Sequence, residues 1–335
     1  MTGPLARLAD GHADSLMWNR DLTERQAKGQ LDFPRLREAQ VRIQCFTVVT
    51  RGYPLVDGMG ALGLLRGWPS AARRRPWARC VFQIERMVDL CARSKGTVVL
   101  TRTSVELEEH LANGRTCAVL GVEGAQALEG RPERVADLCA RGVRFMSLTH
   151  LTNNELGGSS SPLMGNRPIT PLGRRVLEAM VEAGLSVDLA HASHRTLRGI
   201  AEHPKARLFC SHTGVNGATK SWRNLDDDEL RLIADRGGVA GIIFATPYLG
   251  GKEIADVVRH IEHALDVAGE DAVGLGSDFD GMVPLPRGLR DVTDTVKIVE
   301  ALARKRPATV VDKVAWKNWY RFFRETLWDS RRPVD

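Results

Sequence analysis

TPLGRRVLEAMVEAGLSVDLAHASHRTLRGIAEHPKARLFCSH, residues 170–212, holds the pattern that decides the fold. From Thr170 to Ala183 the apolar residues Leu172, Val176, Leu177, Met180 and Val181 share one face at helical spacing, which predicts an amphipathic helix. The short apolar run Leu185–His191 then reads as a buried strand, and after a further helical stretch Ala206–His212 reads as another. Helices alternating with short apolar strands are the mark of βα units around a parallel sheet.

The same alternation runs outward in both directions. Strands are predicted at Leu8–Leu16, Val41–Val49, Thr97–Leu100, Cys117–Val122, Val143–His150, Val239–Phe244 and Ala272–Asp278, and a further helix at Asp227–Arg236 before Gly237 and Gly238. Roughly eight such units with no Pro/Ser-rich linker fit one α/β chain folded as a (β/α)8 TIM-type barrel better than two domains. Residues 1–335 are therefore expected to form a single barrel domain. The exception is the stretch at about 49–79, rich in Gly, Pro and Arg, which reads as an irregular insertion on the catalytic or lateral face.

Composition narrows the function classes. Hydrophobic residues make up 43% and charged residues 26%, which excludes a disordered, collagen-like or coiled-coil chain. The net charge of +6 is mostly dispersed, so no nucleic-acid partner is expected. Its visible gatherings, Arg73, Arg74, Arg75 and Arg79 near Trp77 and the pair Arg331 and Arg332, read as solvated surface. The six cysteines contain no C-x-x-C pair and sit largely in apolar runs, as buried free thiols of a reducing compartment would. No secretory h-region and no stretch of ~20 apolar residues is present, so a cytoplasmic protein without a membrane partner is expected.

In such a barrel the chemistry lies at the C-terminal ends of the strands. The first run ends in Asp10-Gly11-His12-Ala13-Asp14, with His12 and Asp14 two positions apart and so on the same side of an extended chain. Glu123 follows the run 118–122; His150, His191 and His212 close three further runs, and Asp278 closes the last. Four of the nine histidines thus end strand-like runs, whereas His110, His194, His203, His260 and His263 fall on predicted helices or their ends and are given structural or surface roles. Imidazole and carboxylate suit Zn²⁺ and related ions. Three His and two carboxylates already exceed the protein ligands of one catalytic zinc, and a carboxylate can bridge, so the count points to two metals.

At these residues the sequence resembles the membrane dipeptidase (renal dipeptidase) family, metallopeptidases with an amidohydrolase-type barrel. The resemblance is carried by DGHAD at 10–14, GVEG at 121–124, GVRFMSLTHLTNN at 142–154, VDLAH at 187–191, SHTG at 211–214, SWRNLDDDEL at 221–230 and GLGSDFDG at 274–281. It implies two Zn²⁺ ions per chain and one bridging hydroxide, with His12 and Asp14 on one metal, His191 and His212 on the other, and Glu123 shared. It further implies proton transfer by Asp278, contact of His150 with the scissile carbonyl oxygen, and capture of the substrate carboxylate by Arg223. The implied substrates are dipeptides, L,L and also L,D, and the implied assembly is a homodimer. The reading left beside it is an amidohydrolase acting on another small carboxylated amide, such as an N-acyl amino acid.

Two departures from the family pattern stand out. The secreted, lipid-anchored members have a signal and an apolar C-terminal tail that this sequence does not show, which points to the cytosolic bacterial branch. Near the C-terminus, Asn318 and Arg321 keep the family's terminal pattern without its glycine.

Overall fold

The structure is a computed structural model that describes residues 7–50 and 58–327. Nine strands, all paired in parallel, order the chain: β1 (Leu8–Asp10), β2 (Val41–Val49), β3 (Val98–Leu100), β4 (Thr116–Glu123), β5 (Val143–Ser147), β6 (Ser186–Asp188), β7 (Leu208–Thr213), β8 (Ala240–Ile242) and β9 (Val273–Leu275). They run β2-β1-β9-β8-β7-β6-β5-β4-β3, and a second pairing of β2 with β4 closes eight of them into a (β/α)8 barrel. The ninth, β3, is supernumerary. It pairs with Thr116–Ala118 while β5 pairs with Leu120–Val122, and since β2 takes Cys117 to Glu123, β3 and β5 share the other edge of β4 in succession.

Most strands are shorter than the apolar runs that predict them, for a local reason. β1 stops at Asp10, and Ser15–Met17 forms a 3₁₀ turn instead of continuing the strand to Leu16. The chain between still runs beside β9 and the residues after it, with Gly11 N–H donating to Leu275 O (2.8 Å) and Asp14 N–H to Phe279 O (2.8 Å). Similarly β6 stops at Asp188, whose carboxylate accepts from Ala190 N–H (3.0 Å) and turns the chain before His191.

The barrel interior is filled from the C-terminus. Trp319, at the start of helix Asn318–Thr326, is fully buried and donates from Nε1 to Leu275 O (2.9 Å). A Cβ on Gly11 or Gly274 would lie 2.4 or 2.5 Å from its indole, so both positions must stay bare for the ring to enter. A Cβ on Gly11 would also lie 2.6 Å from Ser211 O of β7, three strands round the barrel from β1, which locates this contact inside the barrel. Asn318 holds the helix start by donating to Glu270 O and Val273 O (2.8 Å each).

The 49–79 stretch contains helices Gly58–Leu65 and Ser70–Arg74. The reading of the cluster Arg73, Arg74, Arg75 and Arg79 as a solvated surface fails at Arg79, which is fully buried. The guanidinium donates to Ala72 O (2.9 Å), Arg73 O (2.8 Å) and Thr50 O, so it serves the open carbonyls of a short helix and of the chain just past β2. Arg331 and Arg332 lie outside the described residues. No described helix is long and apolar enough to cross a membrane.

Emptying the Trp319 site leaves a cavity inside the barrel. Trp319→Ala is expected to cost about 3–5 kcal/mol in urea unfolding; a change below ~0.5 kcal/mol would show that the ring does not support the barrel.

Candidate active site

All the residues singled out at strand ends converge on one face of the barrel. Asp14, Glu123, His150, His191, His212, Arg223 and Asp278 line a single cavity of about 560 Å³. His12 lies beneath it, fully buried, with Nε2 3.4 Å from Asp14 Oδ1 and 3.7 Å from Glu123 Oε1.

Glu123, the last residue of β4, is the centre of the arrangement. Its Oε1 lies 3.0 Å from His191 Nε2 and 3.5 Å from His212 Nε2, and its Oε2 lies 3.4 Å from His150 Nε2. Neither carboxylate oxygen has a hydrogen-bond partner, although both are buried. His191 Nε2 and His212 Nε2 face each other at 3.1 Å. A buried carboxylate ringed by imidazole nitrogens and left without a donor is unfavourable unless a cation completes it. The donor types, oxygen and imidazole nitrogen, are those that hold divalent zinc and its neighbours.

Proton affinities follow the same logic. Burial works against protonation of His12, but the charges of Glu123 and Asp14 outweigh it and push its pKa up to about 10. Burial, aided by Arg223 at His191 and by His12 and Arg223 at His212, holds both well below the usual imidazole range. Burial likewise raises Asp278 far above ordinary carboxylates; His12 opposes this, and Asp14 and Glu123 reinforce it.

Several residues that carry no motif of their own aim these side chains. Ser211 Oγ lies 3.2 Å from His12 Nδ1 and 2.8 Å from His212 Nδ1. With both Nδ1–H groups donating to its two lone pairs, both Nε2 atoms present lone pairs to the cavity. Thr47 donates to Asp14 Oδ1 (2.6 Å). Asp10 accepts from Ser277 N–H (2.7 Å), Ser277 Oγ (2.6 Å) and Gln44 Nε2 (3.1 Å), tying β1 to β2 and to the turn that carries Asp278. Asp188 accepts from Ser211 N–H (2.9 Å) as well as from Ala190, linking the His191 and His212 segments. Asp10 could have been found in the sequence, since it is in phase with His12 and Asp14; Thr47 and Ser211 could not, because only the barrel brings them near the imidazoles.

Arg223, in the loop after β7, donates from Nη2 to His212 O (2.7 Å), and its buried Nε has no partner. A fourth group of ligand type, His194, Asp226 and Glu229, lies elsewhere. His194 Nδ1 is 2.6 Å from Glu229 Oε1, and Asp226 and Glu229 form the capping box of helix Asp227–Asp235, so these carboxylates already have partners.

Comparison with known proteins bears on this geometry. The family model for membrane dipeptidase (peptidase family M19) matches residues 5–331. A Klebsiella pneumoniae protein, described as an uncharacterized protein in the pqqA 5′ region, is 29% identical over 262 residues, covering 74% of this chain and 96% of that one. An uncharacterized dipeptidase of Schizosaccharomyces pombe is 33% identical over 205 residues, 59% of this chain and 49% of that protein. The crystal structure of a metallopeptidase from Rhodobacter sphaeroides, liganded with a phosphinate mimic of the dipeptide L-Ala-D-Ala, is similar with a TM-score of 0.85 at 25% identity, covering 97% of this chain and all of that one (100%).

The loop that carries Arg223 is anchored by a neutral histidine. Val215 N–H donates to His260 Nδ1 (2.9 Å), and His260 Nε2–H donates to Leu249 O (3.3 Å). Burial pushes the pKa of His260 down to about 4, against ~6.5 in an unfolded chain. The unfolded state therefore binds this proton more readily, and the stability held above pH ~6.5 is lost as pH falls towards 4, by up to about 3 kcal/mol. Urea unfolding between pH 7 and 4.5 should show this loss, and His260→Gln should flatten it; identical slopes in both proteins would contradict the assignment.

Proposed function

The chain belongs to the membrane dipeptidase family, peptidase family M19, and is a metal-dependent dipeptidase; on that premise we propose how its own residues divide the work. His12, Asp14 and Glu123 would hold one divalent ion, and Glu123, His191 and His212 a second, zinc being the ion that best suits the set. The observation that carries this reading is the pair of buried, unpartnered oxygens of Glu123 among three imidazole Nε2 atoms at 3.0–3.5 Å. Two such ions, when bound, supply a hydroxide nucleophile near neutral pH by depressing the pKa of water.

The remaining residues handle the substrate and the proton. Arg223 offers a planar fork with an unpartnered Nε to the free carboxylate of the C-terminal residue. Clamping that carboxylate one residue from the scissile bond favours dipeptides over longer chains. His150, on the cavity wall beside Glu123, donates to the carbonyl oxygen as negative charge develops on it. Asp278, on the cavity wall, takes one proton of the attacking water and returns it to the amine as the C–N bond breaks. A cavity of about 560 Å³ has the volume of a small-ligand site.

The test is direct. Purified protein is expected to hold two zinc ions per chain by elemental analysis and to hydrolyse L,L and L,D dipeptides. Cleavage of N-acyl amino acids with no cleavage of any dipeptide would reject the reading. Asp278→Asn should keep its metal and lose about 10²–10⁴ in kcat; near-full activity would move proton transfer elsewhere. Arg223→Ala should raise KM about 10- to 100-fold, the worth of a hydrogen bond to a charged group. An unchanged KM would mean that another group holds the carboxylate.

A further inference from the structure

The lining of the active-site cavity is segregated by strand. Glu123, His150, His191, His212 and Arg223 follow β4 to β7 in barrel order, with Leu151 as the one apolar lining residue among them. The circle is completed by β8, β9, β1 and β2, and there the lining is apolar. After β8 come Pro247 and Tyr248, and after β9 come Val283 and Pro284. At or beyond the ends of β1 and β2 come Met17, Val49, Met59 and Leu62. Among the described residues, the charged groups on this half are Asp14 and Asp278, both already engaged in the chemistry.

This apolar half is a built wall. Met17, Val49 and Met59 form a cluster with Trp68 and Ala72 that is separate from the main core, and Leu62 packs against it. Trp68 is 2% exposed, with its ring 5.5 Å from Phe82, and Arg79 bonds the carbonyls of the neighbouring short helix. The insertion at 49–79 therefore fixes helix Gly58–Leu65 over the cavity.

The inference rests on the pose proposed above, with the substrate carboxylate at Arg223. Arg223 lies between β7 and β8, so the C-terminal residue faces Pro247 and Tyr248. The N-terminal residue, one peptide unit or about 3.8 Å further on, faces the wall of Met17, Met59 and Leu62. Among the described residues that wall offers no charged partner, so a charged side chain there loses water without gaining one, whereas each buried methylene gains about fourfold, the equivalent of ~0.8 kcal/mol. We infer that the enzyme selects dipeptides with an apolar N-terminal side chain and that helix Gly58–Leu65 is the element that selects them.

The experiment compares kcat/KM of the metal-loaded full chain on L-Ala-L-Ala, L-Leu-L-Ala, L-Met-L-Ala, L-Glu-L-Ala and L-Lys-L-Ala. The Leu and Met peptides are expected about tenfold or more above L-Ala-L-Ala, and the Glu and Lys peptides at or below it. Leu62→Lys is expected to raise the Glu-to-Leu ratio about tenfold or more; an unchanged ratio would overturn the role of the helix. Equal rates on all five would overturn the inference. So would preference for the Glu peptide, which a second cavity lined by Arg20, Lys28 and Arg66 and sharing Met282 with this one would produce. In both cases, cleavage of L-Ala-L-Ala leaves the dipeptidase reading standing. Cleavage of none of the five overturns both.

Discussion

A buried carboxylate stands at the floor of the cavity without a protein hydrogen-bond donor. Glu123 is 2% exposed, both oxygens lack a hydrogen bond, and three imidazole nitrogens approach within 3.5 Å. A buried charge of this kind destabilises the fold unless a counter-charge completes it. The surrounding scaffold makes sense as the means of holding these donors in place for a cation, since the same groups, relaxed, would find donors of their own.

The scaffold does this at a cost in backbone conformation. His191 and Asp278 both adopt left-handed φ angles of 62°, which costs roughly 1–2 kcal/mol for a residue with a Cβ. Each stands three residues past the end of its strand, in a turn fixed by a buried carboxylate: Asp188 bonds Ala190, and Asp10 bonds Ser277. Strain of this sort persists only where the surroundings over-determine it, and here it turns two side chains into the cavity. The same economy operates at Ser211, one hydroxyl that orients two imidazoles.

How much of this was legible in the sequence depends on the range of the interaction. The strand-end positions of His12, Glu123, His150, His191, His212 and Asp278 could be read because alternation and apolar runs are local signals, and the barrel then brings their ends together. Element boundaries were read less well. The runs ending at His191 and Asp278 overshoot β6 and β9 because the carboxylates of Asp188 and Asp10 take the backbone N–H groups of Ala190 and Ser277 just past the strand ends. The supernumerary β3 was predicted as a strand, but its exclusion from the closed ring depends on which edge of β4 is free, a purely tertiary matter. Arg79 was misread as surface for the same reason: the carbonyls that receive it, those of Thr50, Ala72 and Arg73, converge only when the insertion folds back. Trp319 gave no sign that it would fill the barrel, although Gly11, Gly241 and Gly274, which make room for it, come from three separate strand regions.

Glu123 as the shared ligand of a two-metal centre is open to anomalous diffraction at the zinc edge, from crystals of the protein grown with zinc. Two peaks are expected flanking Glu123, one contacted by His12 and Asp14 and the other by His191 and His212. A single peak, or zinc found only at His194, Asp226 and Glu229 with none at Glu123, would contradict it.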